Sequence, residues 1–338
     1  QEQDQESYDR RGTLEVHRYA SPADALTLFS PARPSDWGKI ATTLASLRRQ
    51  TLLAGGDGKV AHTVALWALP SGWAAAALKR RQGVPYSVWA LGSDIWSLGR
   101  IPGVRGVLRN VARGARNRYA DGIQLSESAT RICGCPFQFL PSTRAMPLAP
   151  RTEVASAPPY RFLFLGRWHA NKGIDLLMDA LEVLDDADWS SIGEIHIAGG
   201  GPLHEYVHSN VDRLRSAGRP VRLSGYLGKN DAALALADAD FLLLPSRIES
   251  IPVVFSDAMK AGLPVISCPV GDLPALMGRF DCGYLSEEVS PRSFAAAIRN
   301  ALGGGVLACM EGTVRASGEF DLQAIGRTLA ALVPGADE

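Results

Sequence analysis

No apolar run in these 338 residues stays unbroken over the ~18–20 positions that a bilayer-spanning helix needs. The longest apolar-rich stretch, Val64 to Leu78, is interrupted by Pro70, Ser71 and Gly72. Cysteine is scarce: there are five, an odd number, and Cys133 and Cys135 are too isolated from a second pair to read as a zinc site. A reduced, cytoplasmic setting is therefore expected. The opening residues, QEQDQES, have no signal-peptide character and no Met, so the chain is expected to begin inside a longer reading frame. No first-half turn carries the G-x-G-x-x-G glycines, which argues against a dehydrogenase.

What the chain has is the composition of a folded globular protein, 46% apolar and 21% charged. Its length suits two domains with separate cores. The net charge of zero is unevenly spread. Residues 1–150 hold 19 Lys and Arg against 11 Asp and Glu, and residues 151–338 hold 16 against 24. That division predicts a first domain over 1–150 with affinity for anions and a second over 151–320. A C-terminal helix over 321–338 is expected to pack back across the junction. SAPP, residues 156–159, reads as the linker.

Residues 1–12 are polar and expected to fray, Leu14 to Tyr19 reads as a strand, and a Pro-rich passage runs through Ala32 to Pro34. Asp36 to Arg49 forms a helix in this reading, with Ser35 as its N-cap. Strand Val60 to Leu69, an Ala-rich helix ending near Arg81 and strand Tyr86 to Leu91 make a βαβ unit, hence a parallel sheet. Ile123 to Ser126 and Phe137 to Leu140 are short strand candidates. In the second half, strands over 161–166, 194–198, 220–225, 240–244, 264–268 and 283–285 alternate with helices. The fold class expected is α/β.

Residues 103–119 read as an amphipathic helix with Val104, Val107, Leu108, Val111, Ala112, Ala115 and Tyr119 on one side. Arg105, Arg109, Arg113 and Arg116 recur every three or four positions on another. That stripe suits a solvated face, an anionic membrane surface on the cytoplasmic side or a phosphate-bearing acceptor.

Three βα junctions in the second half favour anions. In FLGRWHANKG, Gly166 allows a sharp turn while Arg167 and Lys172 bring two cations to a helix N-terminus, a combination suited to a diphosphate. AGGGPL, residues 198–203, lacks the dinucleotide spacing and reads as a tight turn. In FLLLPSRIESIPVVFSDAMKAGLP, residues 241–264, a strand leads to an exposed acid, Glu249, and then to a helix. That helix contains a second acid, Asp257, and Gly262-Leu263-Pro264 stops it. Such a loop lies at the carboxyl edge of a parallel sheet, where open α/β folds bind ligands. Asp238-Ala239-Asp240 looks like a D-x-D metal motif but falls between a helix and a strand, and reads as structural.

Taken together, FLGRWHANKG, HIAGGGP, the 241–264 stretch and VGDLPALM resemble, in order and spacing, the donor domain of retaining family 4 glycosyltransferases of the GT-B fold. The family's E-x7-E signature reads Glu249-x7-Asp257 here. In the first half, ALWALPSG, PYSVWALGSD and ADGIQLSES resemble strand ends of the acceptor domain. The resemblance implies two Rossmann-like domains with parallel sheets facing across a cleft, the first lacking its opening strand and Gly-rich turn. It further implies transfer of a hexose, with retention, from a UDP- or GDP-sugar to a glycan or lipid-linked acceptor, with no metal and no separate cofactor.

By position, the resemblance gives Arg167 and Lys172 the donor diphosphate, Glu249 the transferred sugar and Asp257 the ribose. Gly166 serves the same turn. The backbone at Ile251, Pro252 and Val253 takes sugar and phosphate, and Gly225-Tyr226 lies near the base. Leu91 stands where the family has a His, leaving Ser93 and Asp94 as acceptor-side candidates. A sugar-nucleotide epimerase and an inactive binding or scaffold protein are the competing readings.

Overall fold

The computed structural model describes residues 6–22, 33–56, 58–148 and 154–333. The Pro-rich passage before Arg33 and the expected domain boundary at 150/151 lie outside them. The chain divides into two compact units. One runs to Leu140 and takes in the chain from Arg327; the other is Pro141–Gly326.

The first unit begins with β1 (Ser7–Arg11) and β2 (Leu14–Arg18), an antiparallel pair in which Tyr8 faces His17. Residues 7–11 are thus a paired strand rather than a frayed end. Then come α1 (Trp37–Ala54), β3 (Thr63–Leu66), α2 (Ser71–Gln82), β4 (Tyr86–Ala90), α3 (Ser93–Trp96), α4 (Pro102–Gly114), β5 (Arg118–Ala120), α5 (Ile123–Cys133) and β6 (Gln138–Phe139). Strands β3 to β6 lie side by side in chain order, all parallel. Their core is built from Val88, Ala90, Leu108, Ala112, Ala120, Leu125 and Ala129.

Two local expectations are corrected here. Ile123–Ser126 opens a helix, because Leu125, Ala129 and Cys133 recur at four-residue spacing and are all buried. That period is longer than the short apolar run that suggested a strand. Tyr119 belongs to β5, paired with Trp89, and not to the preceding helix. Helix α4 stops at Gly114, and the Arg116 amide already donates to Tyr86 O, which starts the sheet pairing.

The second unit contains β7 (Tyr160–Arg167), α6 (Ile174–Val183), α7 (Asp186–Ser190), β8 (Ile192–Gly200), α8 (His204–Ser216), β9 (Val221–Ser224), α9 (Lys229–Asp238) and β10 (Phe241–Leu244). They are followed by α10 (Val253–Lys260), β11 (Val265–Ser267), α11 (Leu273–Phe280), β12 (Gly283–Leu285), α12 (Pro291–Gly304) and α13 (Leu307–Ser317). Helix α14 (Leu322–Ala330) closes the described chain.

The six strands run parallel in the order β12-β11-β10-β7-β8-β9. The chain starts in the middle, winds outward one way through β9, returns, and winds outward the other way. Phe162, Phe241, Leu242, Leu243 and Ile266 are fully buried because a parallel sheet is covered on both faces. The reversal falls between β7 and β10. There the two crossover connections leave in opposite directions, which opens a crevice at the carboxyl ends of those strands.

Candidate active site

The loops that follow β7 and β10 meet at this reversal. After β7, Gly166 and Arg167 pair with Gly199 and Gly200 of β8 and end the strand. Arg167 is exposed, and its side chain makes no hydrogen bond or ion pair among the described residues. His169 then accepts a hydrogen bond from the Asn171 amide at 3.1 Å, which shapes a 3-10 turn over Ala170–Lys172. The turn carries Lys172 back over the sheet edge.

After β10, the chain from Pro245 to Pro252 rises beside that turn. Arg247 ties the two loops together. Its amide donates to Asn171 O at 2.9 Å, and Nη1 donates to Ala170 O and to Asp175 Oδ1, both at 2.7 Å. Lys172 and Glu249, 77 residues apart, come into direct contact, with Nζ donating to Oε1. Ser246 Oγ donates to the same oxygen at 3.1 Å.

Two glycines permit this approach. Gly173 has φ +68°, and a Cβ there would lie 1.8 Å from Pro245 O. Gly271 has φ +56°, and a Cβ there would lie 2.3 Å from Glu249 O and 2.5 Å from Ser250 O. Only glycine fits both the left-handed backbone and the space.

Pro252 is the N-cap of α10, and the first amides of the helix, from Val253, have no intrahelical acceptor. Ser250 Oγ, just before, is buried with no hydrogen-bond partner among the described residues. An exposed cation at Arg167, free helix amides and an unpaired hydroxyl, beside the Lys172–Glu249 pair, are groups of the kind that suit a multivalent anion. Glu249 adds an acceptor for hydroxyl groups in the same place.

Gly225 and Tyr226 follow β9. Tyr226 is 72% exposed, yet its hydroxyl donates to Gly200 O at 2.6 Å, which holds the ring against the glycine turn. Asp257 lies one helical turn beyond Val253 and is fully buried. Its Oδ2 accepts from Arg144 Nε at 2.9 Å and Nη2 at 2.6 Å. That oxygen is therefore already occupied, while Oδ1 receives no hydrogen bond among the described residues.

The first-unit candidates separate. Ser93 is exposed, whereas Asp94 is buried and accepts from the amides of Ala68 (2.7 Å), Gly92 (3.1 Å) and Leu91 (3.3 Å). Burial pushes its carboxyl above the usual range, while those backbone donors pull it back. Asp94 fixes two βα turns; its lone pairs are spent on backbone. The arginine stripe is likewise partly spent. Arg105 Nε donates to Gly99 O and Arg109 Nε to Ile132 O, each at 2.8 Å. Asp240 accepts from the Arg161 amide at 2.8 Å at the opposite end of β7, a structural role.

Sequence reasoning missed Arg144, Gly173, Ser246, Arg247, Ser250 and Gly271. Gly173 and Gly271 sit inside the stretches FLGRWHANKG and VGDLPALM. Nothing local in the sequence connects Arg144 with a residue 113 positions later.

Residues 159–303 match the family described as glycosyl transferases group 1. The chain is 28% identical over 176 residues to the amylovoran biosynthesis glycosyltransferase AmsK of Erwinia amylovora, covering 48% of this chain and 42% of that protein. It is 29% identical over 163 residues to the D-inositol 3-phosphate glycosyltransferase of Jonesia denitrificans, covering 47% and 37%. The chain thus spans about half or less of the length of such relatives. Among solved structures, the sucrose-phosphate synthase of Thermosynechococcus elongatus superposes with a TM-score of 0.69 at 17% identity, over 96% of this chain and 84% of that one. Anabaena HepE in complex with UDP-glucose superposes with a TM-score of 0.65 at 17% identity, over 89% and 83%. The fold is of the GT-B class, as the sequence resemblance implied.

Proposed function

We propose that this chain, with a group 1 glycosyltransferase domain in its second unit, is a retaining glycosyltransferase. It moves a hexose from a UDP- or GDP-sugar to a glycan or lipid-linked acceptor in polysaccharide or glycolipid assembly. The observation that carries the reading is the meeting of Lys172, Glu249 and the α10 N-terminus at the β7/β10 reversal. Support for the donor comes from HepE, solved with UDP and with UDP-glucose on the same fold.

In this reading Arg167, Lys172 and the α10 amides hold the diphosphate, and Glu249 accepts from sugar hydroxyls. The bond between the sugar's C1 and the phosphate oxygen breaks as the acceptor oxygen bonds to C1 on the same face. The acceptor's proton passes to the departing phosphate oxygen. Negative charge grows on the leaving diphosphate, so fixed cations and amides stabilise the transition state more than the ground state.

The test incubates the chain with UDP-glucose or GDP-mannose and a glycan or lipid-linked acceptor. The product's anomeric configuration is read by NMR. Transfer with retention is expected, and Glu249→Gln should lower kcat by roughly a hundredfold or more with an unchanged circular dichroism spectrum. Unchanged turnover in that variant would sink the assignment. Donor turned over with no acceptor present would favour the epimerase instead.

A further inference from the structure

We infer that Arg144 is a latch on Asp257, and that the ribose of a bound nucleotide must displace it. The inference rests on the donor reading above and adds a regulated entry to the same site. Asp257 has no exposed surface, yet its two oxygens are treated differently. Oδ2 takes both Arg144 donors, Nε at 2.9 Å and Nη2 at 2.6 Å. Lys260 Nζ lies 3.2 Å from Oδ1 as an ion-pair contact, but no donor among the described residues aims a hydrogen bond at that oxygen.

A carboxylate recognises a vicinal diol by accepting on both oxygens. Here one oxygen is filled and the other has an unused lone pair in a buried place, a position that normally has a partner. The group filling Oδ2 is also the one most easily withdrawn. The Arg144 side chain is 51% exposed and puts two donors on a single oxygen, rather than one on each as in a fork-to-fork pair.

The main chain of the same segment is fixed independently. Lys260 Nζ donates to Thr143 Oγ1 at 2.9 Å and to Arg144 O at 2.7 Å. The backbone can therefore stay in place while the guanidinium swings into water. A group that must leave before binding lowers the apparent affinity by the fraction of molecules in which it has left. Removing the latch should then tighten binding, and only for ligands that carry the diol.

The experiment titrates UDP, GDP and 2′,3′-dideoxy-UDP into the wild-type chain, Arg144→Ala and Arg144→Lys by calorimetry. Arg144→Ala is expected to bind UDP or GDP roughly tenfold tighter or more than wild type. Its affinity for the dideoxy nucleotide should be unchanged, and Arg144→Lys should fall between. In transfer assays the donor KM should drop while kcat stays the same. If Arg144→Ala does not fold, Arg144→Gln serves for the same comparison. Binding by wild type with no gain in the variant, or an equal gain for the dideoxy nucleotide, overturns the latch and leaves the donor reading standing. No binding of UDP or GDP by any variant removes both.

Discussion

Glu249 does not hold its position by its own contacts alone; the backbone beneath it is propped by a glycine. Gly271 is left-handed at φ +56°, and its missing Cβ is where Glu249 O and Ser250 O lie. The Asp272 amide next to it donates to Ser250 O at 3.1 Å. Gly271→Ala therefore combines a disfavoured backbone with a clash against main chain that cannot rotate away. A loss of about 1–3 kcal/mol is expected from the backbone conformation, with a further loss if the loop cannot yield. The specific signature is a raised donor KM, because the loop carrying Glu249 and the α10 N-terminus is pushed off its seat. Denaturant unfolding together with donor kinetics checks both, and a stable variant with wild-type KM would show that the loop is held elsewhere. At this scale Arg167, Lys172 and Glu249 stood out in the sequence as candidates because they share βα junctions, although a lone charge in such a loop is more often solvated or a helix cap. Arg144 did not, because its partner is set by the fold and not by neighbours in sequence.

At the scale of elements, periodicity read most of the second unit correctly because its central strands, such as β10 and β11, are buried on both faces and alternate with helices. The strand Gly283–Leu285 coincides with its expected bounds, and the strands from β7 to β11 shift by no more than about two residues at either end. The error at Ile123–Ser126 came from reading a short apolar run by itself; the spacing of Leu125, Ala129 and Cys133 that makes it a helix continues past its end. One element pair also makes a titratable prediction. His196 of β8 is buried, with Nε2 2.7 Å from Ser224 Oγ of β9 and Nδ1 3.0 Å from Arg222 Nη2. An arginine donates only, so Nδ1 accepts and the imidazole is neutral. Burial first, then the Arg222 charge, lowers its pKa below the ordinary 6.5. The unfolded chain thus takes up a proton near pH 6.5 that the folded chain refuses. The stabilisation is complete above that pH and is lost as pH falls toward the folded pKa. His62, lowered for the same first cause, adds to the acid-side loss. Thermal midpoints measured between about pH 8 and 5 should decline on the acid side, and His196→Gln should flatten part of that decline. An identical slope in the variant would remove His196 as its source.

For the whole molecule, the chain divides into two compact units. Each unit has its own parallel sheet and its own buried core, so each can unfold with its own enthalpy. The four strands of the first unit's parallel sheet run in chain order without a reversal among the described residues, unlike the second unit's sheet, which reverses between β7 and β10. All the residues proposed to hold the nucleotide, from Gly166 to Asp257, belong to the second unit. A nucleotide should therefore stabilise one unit and leave the other where it was. Calorimetric scans are expected to resolve two transitions, of which only one moves when UDP or GDP is added. At a free concentration a hundred times the Kd the shift corresponds to about 2.7 kcal/mol. Glu249→Gln, which keeps the cations and amides that take the diphosphate, should retain most of that shift while losing transfer. If both transitions move together by the same amount, ligand binding is coupled to folding of the entire chain, and the assignment of the nucleotide to one unit fails.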